Sequence, residues 1–328
     1  MEAGSGIIVW ATATQAPLVA AVARRLDRPV RFVGGPHPSD VAPLRDVADV
    51  AEPFTDLRHT LRTTAEAGEN IVLLAARGRR RADVREAVRA VRGPVLSLEP
   101  PAGTLADANA DRADSDDDAR HPLLAWTDPW RAVRDRLGDF GPIRLVEASF
   151  TGRTEHGSLH ARLHDACDAI DRAGLEVHEV AAATGRGPRG VPDDLHEWTG
   201  SVAVRLGGHG GWCGTIAASD EAGTWSRRVI LHGEGGRISV DDASMVWTDA
   251  SGITVETFTP DTPATSFDAV IAARHAAQTA TSADAETAPP ASEASRERRR
   301  RRFSLCETVR LAARTGESER PSRVAEML

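Results

Sequence analysis

Hydrophobic residues in the first 100 positions come in short, nearly continuous runs that are separated by amphipathic stretches. Such runs are typical of strands buried on both faces, and apolar residues three and four positions apart in the intervening stretches are typical of helices. This alternation predicts a doubly wound parallel sheet. The predicted strands cover residues 6–10, 30–33, 70–75 and 94–98, and the predicted helices cover 17–26, 57–66 and 81–91.

The pattern changes after residue 105. Residues 105–120, "LADANADRADSDDDAR", contain six aspartates and no large apolar residue after Leu105, which predicts a solvated loop. Beyond it we expect a helix around Trp130, a strand over 143–150 and a helix over 159–173. Further strands separated by glycine-rich turns favour a mostly antiparallel sheet. They are predicted at 175–184, 197–206, 211–219, 227–231, 237–240, 245–249 and 253–258.

The chain is therefore predicted to be an α/β protein of two domains. Residues 1–122 form the domain with the parallel sheet, and residues 123–328 form an α+β domain with a large, mostly antiparallel open sheet. A low-complexity insert over about residues 279–302 ends in "RERRRRR" and precedes a terminal helix that Gly316 stops.

The basic run from Arg296 to Arg302 holds six arginines and is expected to be a solvated, mobile segment. The alternative is a site for an anionic partner. Nucleic acid is not expected, because no aromatic residue interleaves the run and the formal net charge of the chain is −8.

The chain contains no lysine, and all 40 of its basic residues are arginine. This composition excludes a Schiff base, a Walker-A phosphate loop and lysine acid–base catalysis. No run of 18 apolar residues occurs, so no membrane span is predicted. The opening "MEAGSG" lacks the basic region of a secretory signal, and three scattered cysteines fit neither a disulfide framework nor a cysteine zinc site. We therefore expect a cytoplasmic protein.

The segment "ATATQA", residues 11–16, joins the first predicted strand to the first predicted helix. Dinucleotide-binding proteins place Gly-x-Gly-x-x-Gly at this point, so that the backbone can approach the pyrophosphate closely. Here Ala11, Ala13 and Ala16 keep the spacing, but their methyl groups crowd that approach. The second strand ends in Gly34 and Gly35, which offer no carboxylate to a ribose.

Five later segments complete a resemblance to the Gfo/Idh/MocA oxidoreductases, the group of glucose-fructose oxidoreductase and inositol dehydrogenase. "GPVLSLEPPAG" is similar to the family's Glu-Lys-Pro stretch, with Glu99 and Pro101 kept and Pro100 in the place of the lysine. The late segments "GWCGTIAAS", "RRVILHGEGGRISV" and "TVRLAARTGE" are also similar to those of the family. The resemblance covers nearly the whole chain, although no single motif is intact.

The segment "GSLHARLHDACDAIDRAG" resembles the family's histidine helix. His164 and Gly174 keep the family spacing, and His160 stands where the family has an aspartate. The resemblance implies a Rossmann-like first domain, NAD or NADP as the cofactor and a polyol or sugar-like ligand. It also implies His164 and His160 as catalytic candidates, and as cofactor-binding candidates Ala11, Thr12, Ala13, Thr14, Gln15 and Glu99.

A metal site is a second interpretation of the histidines. His156, His160, His164 and Asp168 lie four residues apart, so a continuous helix would align them on one face, where two imidazoles can chelate zinc. The simpler interpretation is a helix that begins near Ser158, which leaves His156 outside it and the other histidines facing a cleft. We predict no metal ion.

The departures from the family pattern decide the functional hypothesis. Pro100 cannot titrate, and the chain has no lysine to replace it, so hydride transfer by the family mechanism is not expected. We predict a catalytically degenerate protein with a binding, structural or regulatory role and no bound dinucleotide. The alternatives are an active NAD(P)-dependent oxidoreductase with His164 as its acid or base, and a scaffold subunit that forms a homo-oligomer through the open face of the second sheet.

Overall fold

Two sheets organise the chain in the computed structural model, which describes residues 6–46, 51–64, 70–76, 88, 91, 93–100, 102–110, 121–283 and 293–328. The first sheet is parallel and has the strand order β3-β2-β1-β4-β5. It consists of β1 (Ile7–Trp10), β2 (Val30–Gly34), β3 (Glu52–Phe54), β4 (Ile71–Leu74) and β5 (Val95–Ser97).

Alternate residues of this sheet face two different cores, as the continuous apolar runs predict. Ile7 and Val9 pack in one core together with α1, whereas Ile8 packs in the other together with α3. The doubly wound parallel sheet is therefore confirmed. The helices of this half are α1 (Ala16–Leu26), α2 (Pro38–Asp46), α3 (Leu57–Thr64) and α4 (Leu105–Ala110).

The second sheet has eight strands in the order β13-β12-β11-β10-β6-β9-β8-β7. All neighbouring strands are antiparallel except β6 and β9, so the predicted mostly antiparallel sheet is confirmed. Its strands are β6 (Ile143–Thr151), β7 (Val177–Thr184), β8 (Ser201–Gly208), β9 (Cys213–Ser219), β10 (Ser226–Gly233), β11 (Gly236–Asp241), β12 (Met245–Thr248) and β13 (Thr254–Phe258).

Helices cover one face of the second sheet. Along β8, Val202 and Val204 are buried against them, whereas Ala203 and Arg205 on the other face are exposed. None of the helices in the described ranges is both long and apolar enough to cross a membrane. The helices of this half are α5 (Asp128–Phe140), α6 (Leu159–Arg172), α7 (Phe267–Ala283), α8 (Glu293–Thr315) and α9 (Pro321–Ala325).

Helix α7 leaves the second sheet and packs on the first half of the chain. Phe267 and Ile271 belong to the same core as α1, and Arg25 on α1 donates to Asp268 at 2.7 Å. The apolar pattern does not predict α7, nor does it predict α2 and β3. α2 carries Pro43 in its interior and β3 is only three residues long, so neither has a clear periodicity.

The prediction of a loop over residues 105–120 is wrong at its beginning, where α4 lies. Thr104 caps this helix: its hydroxyl donates to Asp107 at 2.9 Å, and the N–H of Asp107 donates to the Thr104 hydroxyl at 3.2 Å. Residues 111–120 lie outside the described residues, as do Pro101 and most of the helix predicted at 81–91.

The prediction of a mobile segment over the basic run is also wrong, because these residues form the first turns of α8. Arginine favours helices, and acidic residues of α6 pair with the side chains that face them. Arg302 is buried and donates to the buried Asp168 at 2.7 Å, while Arg301 donates to Asp171 at 2.9 Å. Of the low-complexity insert, residues 279–283 belong to α7, and residues 284–292 lie outside the described residues.

A buried ion pair in the second half of the chain also holds the segment that leads into it from the first half. Arg227 on β10 is only 1% exposed, and its guanidinium donates to Asp165 on α6 at 2.6 Å and to Asp242 after β11 at 2.9 Å. It also donates to the carbonyl of Pro122, in the segment that connects the halves. Breaking such a pair leaves buried carboxylates without their cation, which is strongly destabilising.

We predict that Arg227→Leu lowers the free energy of unfolding by about 3–5 kcal/mol, because two buried carboxylates lose their partner. Arg228→Leu is the matched control, since Arg228 is exposed and its guanidinium is as far as 4.0 Å from the carboxylate of Asp241. This variant should lower the free energy of unfolding by less than about 1 kcal/mol. Urea unfolding followed by circular dichroism measures both. Equal losses in the two variants would contradict the structural role given to Arg227.

Candidate functional site

The turn after β1 satisfies its own backbone. Thr12 N–H donates to the side-chain carbonyl of Gln15 at 3.0 Å, and Gln15 N–H donates to the carbonyl of Thr12 at 3.0 Å. Ala13 N–H donates to the carboxylate of Asp40 at 2.9 Å. The second oxygen of Asp40 accepts from His37 N–H at 3.0 Å. Three N–H groups of the turn are therefore engaged within the chain.

Asp40 reaches the turn because the segment that leads into α2 passes close to Ala11. A Cβ atom on Gly35 would lie 2.4 Å from the carbonyl oxygen of Ala11, so only glycine fits there. Asp40 is 7% exposed at the start of α2 and places a negative charge beside the beginning of α1. Helix N-termini favour anions, and here the chain supplies one.

The side chain of Gln15 lies at the carboxyl ends of β1 and β4. Its amide nitrogen donates to the carbonyl of Ala75 at 2.7 Å and to the carbonyl of Glu155 at 3.3 Å. β1 and β4 are neighbours at the point where the strand order reverses, which is where doubly wound sheets bind their ligands. Gln15 is only 3% exposed, so it occupies part of this crevice.

Glu99 holds the beginning of α6. Its carboxylate accepts from the N–H of Ser158 at 2.9 Å and from the Ser158 hydroxyl at 2.5 Å. The same hydroxyl caps α6 by accepting from Ala161 N–H at 3.0 Å. Nδ1 of His196 lies 3.9 Å from the carboxylate, beyond hydrogen-bond distance. The adjacent Pro100 lines the cavity described below.

Four histidines cluster around α6. The ring of His160 lies 6.3 Å from that of His164 and 5.1 Å from that of His196, while His121 lies 5.7 Å from His164. Neither ring nitrogen of His160, which is fully buried, has a hydrogen-bond partner among the described residues. Gly174, which keeps the family spacing, follows the end of α6. Its φ of +75° is a backbone conformation that favours glycine.

Burial keeps the two candidate catalytic histidines neutral. Desolvation, reinforced by His196 and the other neighbouring imidazoles, holds the pKa of His160 well below its usual 6.5. Desolvation and the guanidinium of Arg302 hold the pKa of His164 well below the same value. At neutral pH each ring can therefore donate one hydrogen bond and accept another.

His156 belongs to a different cluster. As the simpler interpretation predicts, it precedes α6 in a short 3-10 helix, and its ring packs on Phe267 at 5.2 Å and on Trp225 at 5.9 Å. The guanidinium of Arg162 stacks on Trp225 at 4.2 Å. Burial lowers the pKa of Arg162 to about 9 and that of His156 to about 4. These aromatic side chains fill the space between the two halves and leave a cavity of about 20 Å³.

The structure separates the residues of the hypothetical metal face. Asp168 is held by Arg302 and Arg172, at 2.7 and 2.8 Å, and does not accompany the histidines. In the part of the chain that the structure describes, no three histidine, cysteine or acidic side chains form a group that could hold a metal ion.

A cavity of about 390 Å³ lies beside His160 and His164. Its size is that of a small-molecule site. Pro100 and Ala102 also line it, as do arginines of the basic run at the start of α8. The sequence therefore identifies the histidines of this site, but the contribution of the arginines follows only from the helical state of α8.

Sequence reasoning missed several residues around the site. His121 and His196 come from distant segments that carry no local motif. The sequence gives only a weak indication of Asp40: no acid stands at the end of β2, and Asp40 is a carboxylate shortly after it. Arg162 and Trp225 are not distinguishable in the sequence from the other arginines and tryptophans of the chain.

The arrangement of the elements is that of known oxidoreductases. No protein-family model and no curated protein matches the sequence. Solved structures do match: an oxidoreductase domain protein from Kribbella flavida is 17% identical with a TM-score of 0.64, over 97% of this chain and 99% of that one. Scyllo-inositol dehydrogenase from Lactobacillus casei, solved with NAD(H) and scyllo-inositol, is 12% identical with a TM-score of 0.63, over 97% and 99%.

A third solved structure is an oxidoreductase from Agrobacterium radiobacter in complex with NAD+, L-tartaric acid and magnesium. It is 16% identical with a TM-score of 0.61, and the match covers 97% of this chain and 98% of that one. The chain therefore shares the fold of these three proteins over nearly its whole length. The resemblance to the inositol-dehydrogenase-like Gfo/Idh/MocA oxidoreductases is confirmed at the level of the fold.

The buried histidines predict how stability depends on pH. In the unfolded chain they take up protons as the pH falls through about 6.5, whereas the folded rings stay neutral. The unfolded state then binds more protons, so the free energy of unfolding decreases between about pH 6.5 and pH 5. His160→Asn should remove up to about 1.4 kcal/mol per pH unit of this slope.

Urea unfolding of wild type and variant at several pH values measures this slope. His59→Asn is the matched control, because His59 is exposed on α3, and its slope should equal that of wild type. Parallel curves for His160→Asn and wild type would mean that His160 does not resist protonation in the folded chain.

Proposed function

We propose that this chain is a divergent Gfo/Idh/MocA-like protein that binds a small hydroxylated ligand in the cavity beside His160 and His164, without a dinucleotide. The contact that carries the proposal is the Gln15 side chain in the switch-point crevice, bonded to Ala75 and Glu155. A dinucleotide entering this crevice would have to displace an amide with 3% exposure and both of its bonds.

The phosphate end of the crevice supports the same conclusion. A pyrophosphate needs N–H donors at the turn, and the N–H groups of Thr12, Ala13 and Gln15 are already engaged. The carboxylate of Asp40 adds charge repulsion at close range. The residues present at the turn do not fit NAD or NADP.

The remaining chemistry suits binding. Pro100 has no titratable group and the chain has no lysine, so the family's proton transfer has no donor at that position. His160 and His164 are neutral imidazoles that can exchange hydrogen bonds with the hydroxyl groups of a polyol. We infer a binding or regulatory role in the cytoplasm, which three unpaired cysteines support.

A second candidate is an active NAD(P)-dependent oxidoreductase on a sugar-like or cyclitol substrate. The observation in its favour is again Asp40, because a carboxylate near this turn is also what a ribose hydroxyl requires. In this function His164 acts as the acid or base at the substrate hydroxyl, and His164→Ala abolishes turnover.

A further candidate concerns assembly. The uncovered face of the second sheet presents small and polar side chains, among them Ala203, Thr215 and Ala217, which would let a second copy approach closely. We propose a homo-oligomer through this face. A monomeric mass in light scattering across a wide range of concentrations would exclude it.

We predict that calorimetric titration of the full chain with NAD(H) and NADP(H) gives no saturable binding up to about 1 mM, because the crevice and the turn are already occupied. A dehydrogenase with an intact glycine-rich turn serves as the positive control. Binding of either cofactor below about 10 µM would overturn the proposal.

Asp40→Ala separates the two candidate functions. If Asp40 only repels a pyrophosphate, removing it leaves cofactor binding absent or raises it slightly. If Asp40 holds a ribose, the wild type binds the cofactor and the variant loses about tenfold or more in affinity. Activity of the wild type on a panel of polyols, lost in His164→Ala, would establish the enzyme.

A further inference from the structure

Arg162 on α6 is a buried cation whose Nε and Nη2 nitrogens have no hydrogen-bond partner among the described residues. The residue is only 3% exposed. Two other buried arginines, Arg227 and Arg302, each bind a carboxylate, at 2.6 and 2.7 Å. Because buried guanidiniums are normally paired in this way, the environment of Arg162 requires an explanation.

Aromatic stacking stabilises only the face of this guanidinium. Its central carbon lies 4.2 Å from the centre of the Trp225 ring and 5.7 Å from that of Phe267. The N–H groups lie in the plane of the guanidinium, so stacking leaves them without acceptors. Desolvation, reinforced by the charge of Arg227, accordingly lowers the pKa of Arg162 to about 9.

The cavity of about 20 Å³ between the two halves adjoins this guanidinium. Arg162 and His156 both line it, together with Trp225 and Phe267. Nδ1 of His156 is buried and also has no hydrogen-bond partner among the described residues. A single water needs about 10–15 Å³, so the cavity admits a group of a few atoms but no carbon chain. Two side chains with unused hydrogen-bonding nitrogens therefore line one cavity of this size.

The unused nitrogens of Arg162 favour a particular class of ligand. Nε and Nη2 lie on the same edge of the guanidinium, which matches two oxygens of a planar anion through two parallel hydrogen bonds. Asp165 also lines the cavity, but its two oxygens already accept from Leu124 N–H and from the guanidinium of Arg227. The positive charge of Arg162 therefore favours an anion over a water molecule.

We propose that this cavity binds one small planar oxyanion, of the size of bicarbonate, nitrate or formate, with Nε and Nη2 of Arg162 donating to its oxygens and the ring of His156 beside it. Gly152 leaves room there, since a Cβ atom on it would lie 2.9 Å from Nη2 of Arg162. The cavity is separate from that of about 390 Å³, although Pro100 and His164 line both. The inference does not rest on the proposed function.

The test is calorimetric titration of the full chain with sodium formate, sodium nitrate and sodium bicarbonate near neutral pH. Sodium HEPES keeps the ionic strength constant, and its anion is far too large for this cavity. We expect at least one of the three anions to bind once per chain with a Kd below about 10 mM. No saturable binding of any of them up to about 100 mM would overturn the inference.

Two variants with the same change in net charge locate the anion. Arg162→Met should weaken binding at least about tenfold, because it removes both donors. Arg172→Met is the matched control: Arg172 also stacks on a tryptophan, Trp126, at 4.7 Å, but it binds Asp168 at 2.8 Å and does not line the cavity. This variant should change the affinity less than about twofold. Equal losses in the two variants would contradict the proposed site.

Urea unfolding separates anion binding from a purely structural role of Arg162. In HEPES alone, Arg162→Met should unfold at the same urea concentration as wild type or at a higher one, since an apolar side chain replaces a buried unpaired charge. The anion should raise the urea midpoint of wild type only. An equal rise in both proteins would place the anion elsewhere and overturn the inference. Should Arg162→Met not fold, Arg162→Lys must weaken binding in the same direction, because one ammonium nitrogen replaces Nε and Nη2.

Discussion

The buried guanidinium of Arg227 positions the helix that carries the candidate site. It joins strand β10, helix α6, the turn after β11 and the segment that connects the two halves. Its partner Asp165 also accepts from Leu124 N–H at 2.8 Å. Asp165 directly follows His164, so the ion pair fixes the height and rotation of the helix that carries the histidines. A buried charge is tolerated only with such complete pairing.

Helix α6 extends this principle along its length. Asp165, Asp168 and Asp171 each pair with an arginine from another element, so the helix is anchored on the sheet and on α8 by charged hydrogen bonds. The guanidinium of Arg227 uses separate nitrogens for Asp165 and Asp242, which the single nitrogen of a lysine could not reproduce. In this chain without lysine, arginines therefore form the ion pairs that join α6 to the other elements.

The sequence predicts the fold well and the site only in part. Continuous apolar runs identify β1 and β4, and alternation identifies β8, because these patterns record burial directly. The helical state of the basic run depends instead on acids 130 residues away, such as Asp171 for Arg301. The contact of Asp40 with Ala13 spans 27 residues and has no periodicity. Long-range pairing of polar groups leaves little local trace, and most of this site is built from it.

The two bonds of the Gln15 amide have a consequence for how the chain responds to its surroundings. A protein whose halves are held together by a bound cofactor gains stability in proportion to the logarithm of the cofactor concentration. Gln15 donates hydrogen bonds to Ala75 in one half and to Glu155 in the other, so a side chain of the protein itself connects the two halves. Under the proposed function, the relative placement of the halves does not depend on the cell's supply of nicotinamide nucleotides or on its redox state.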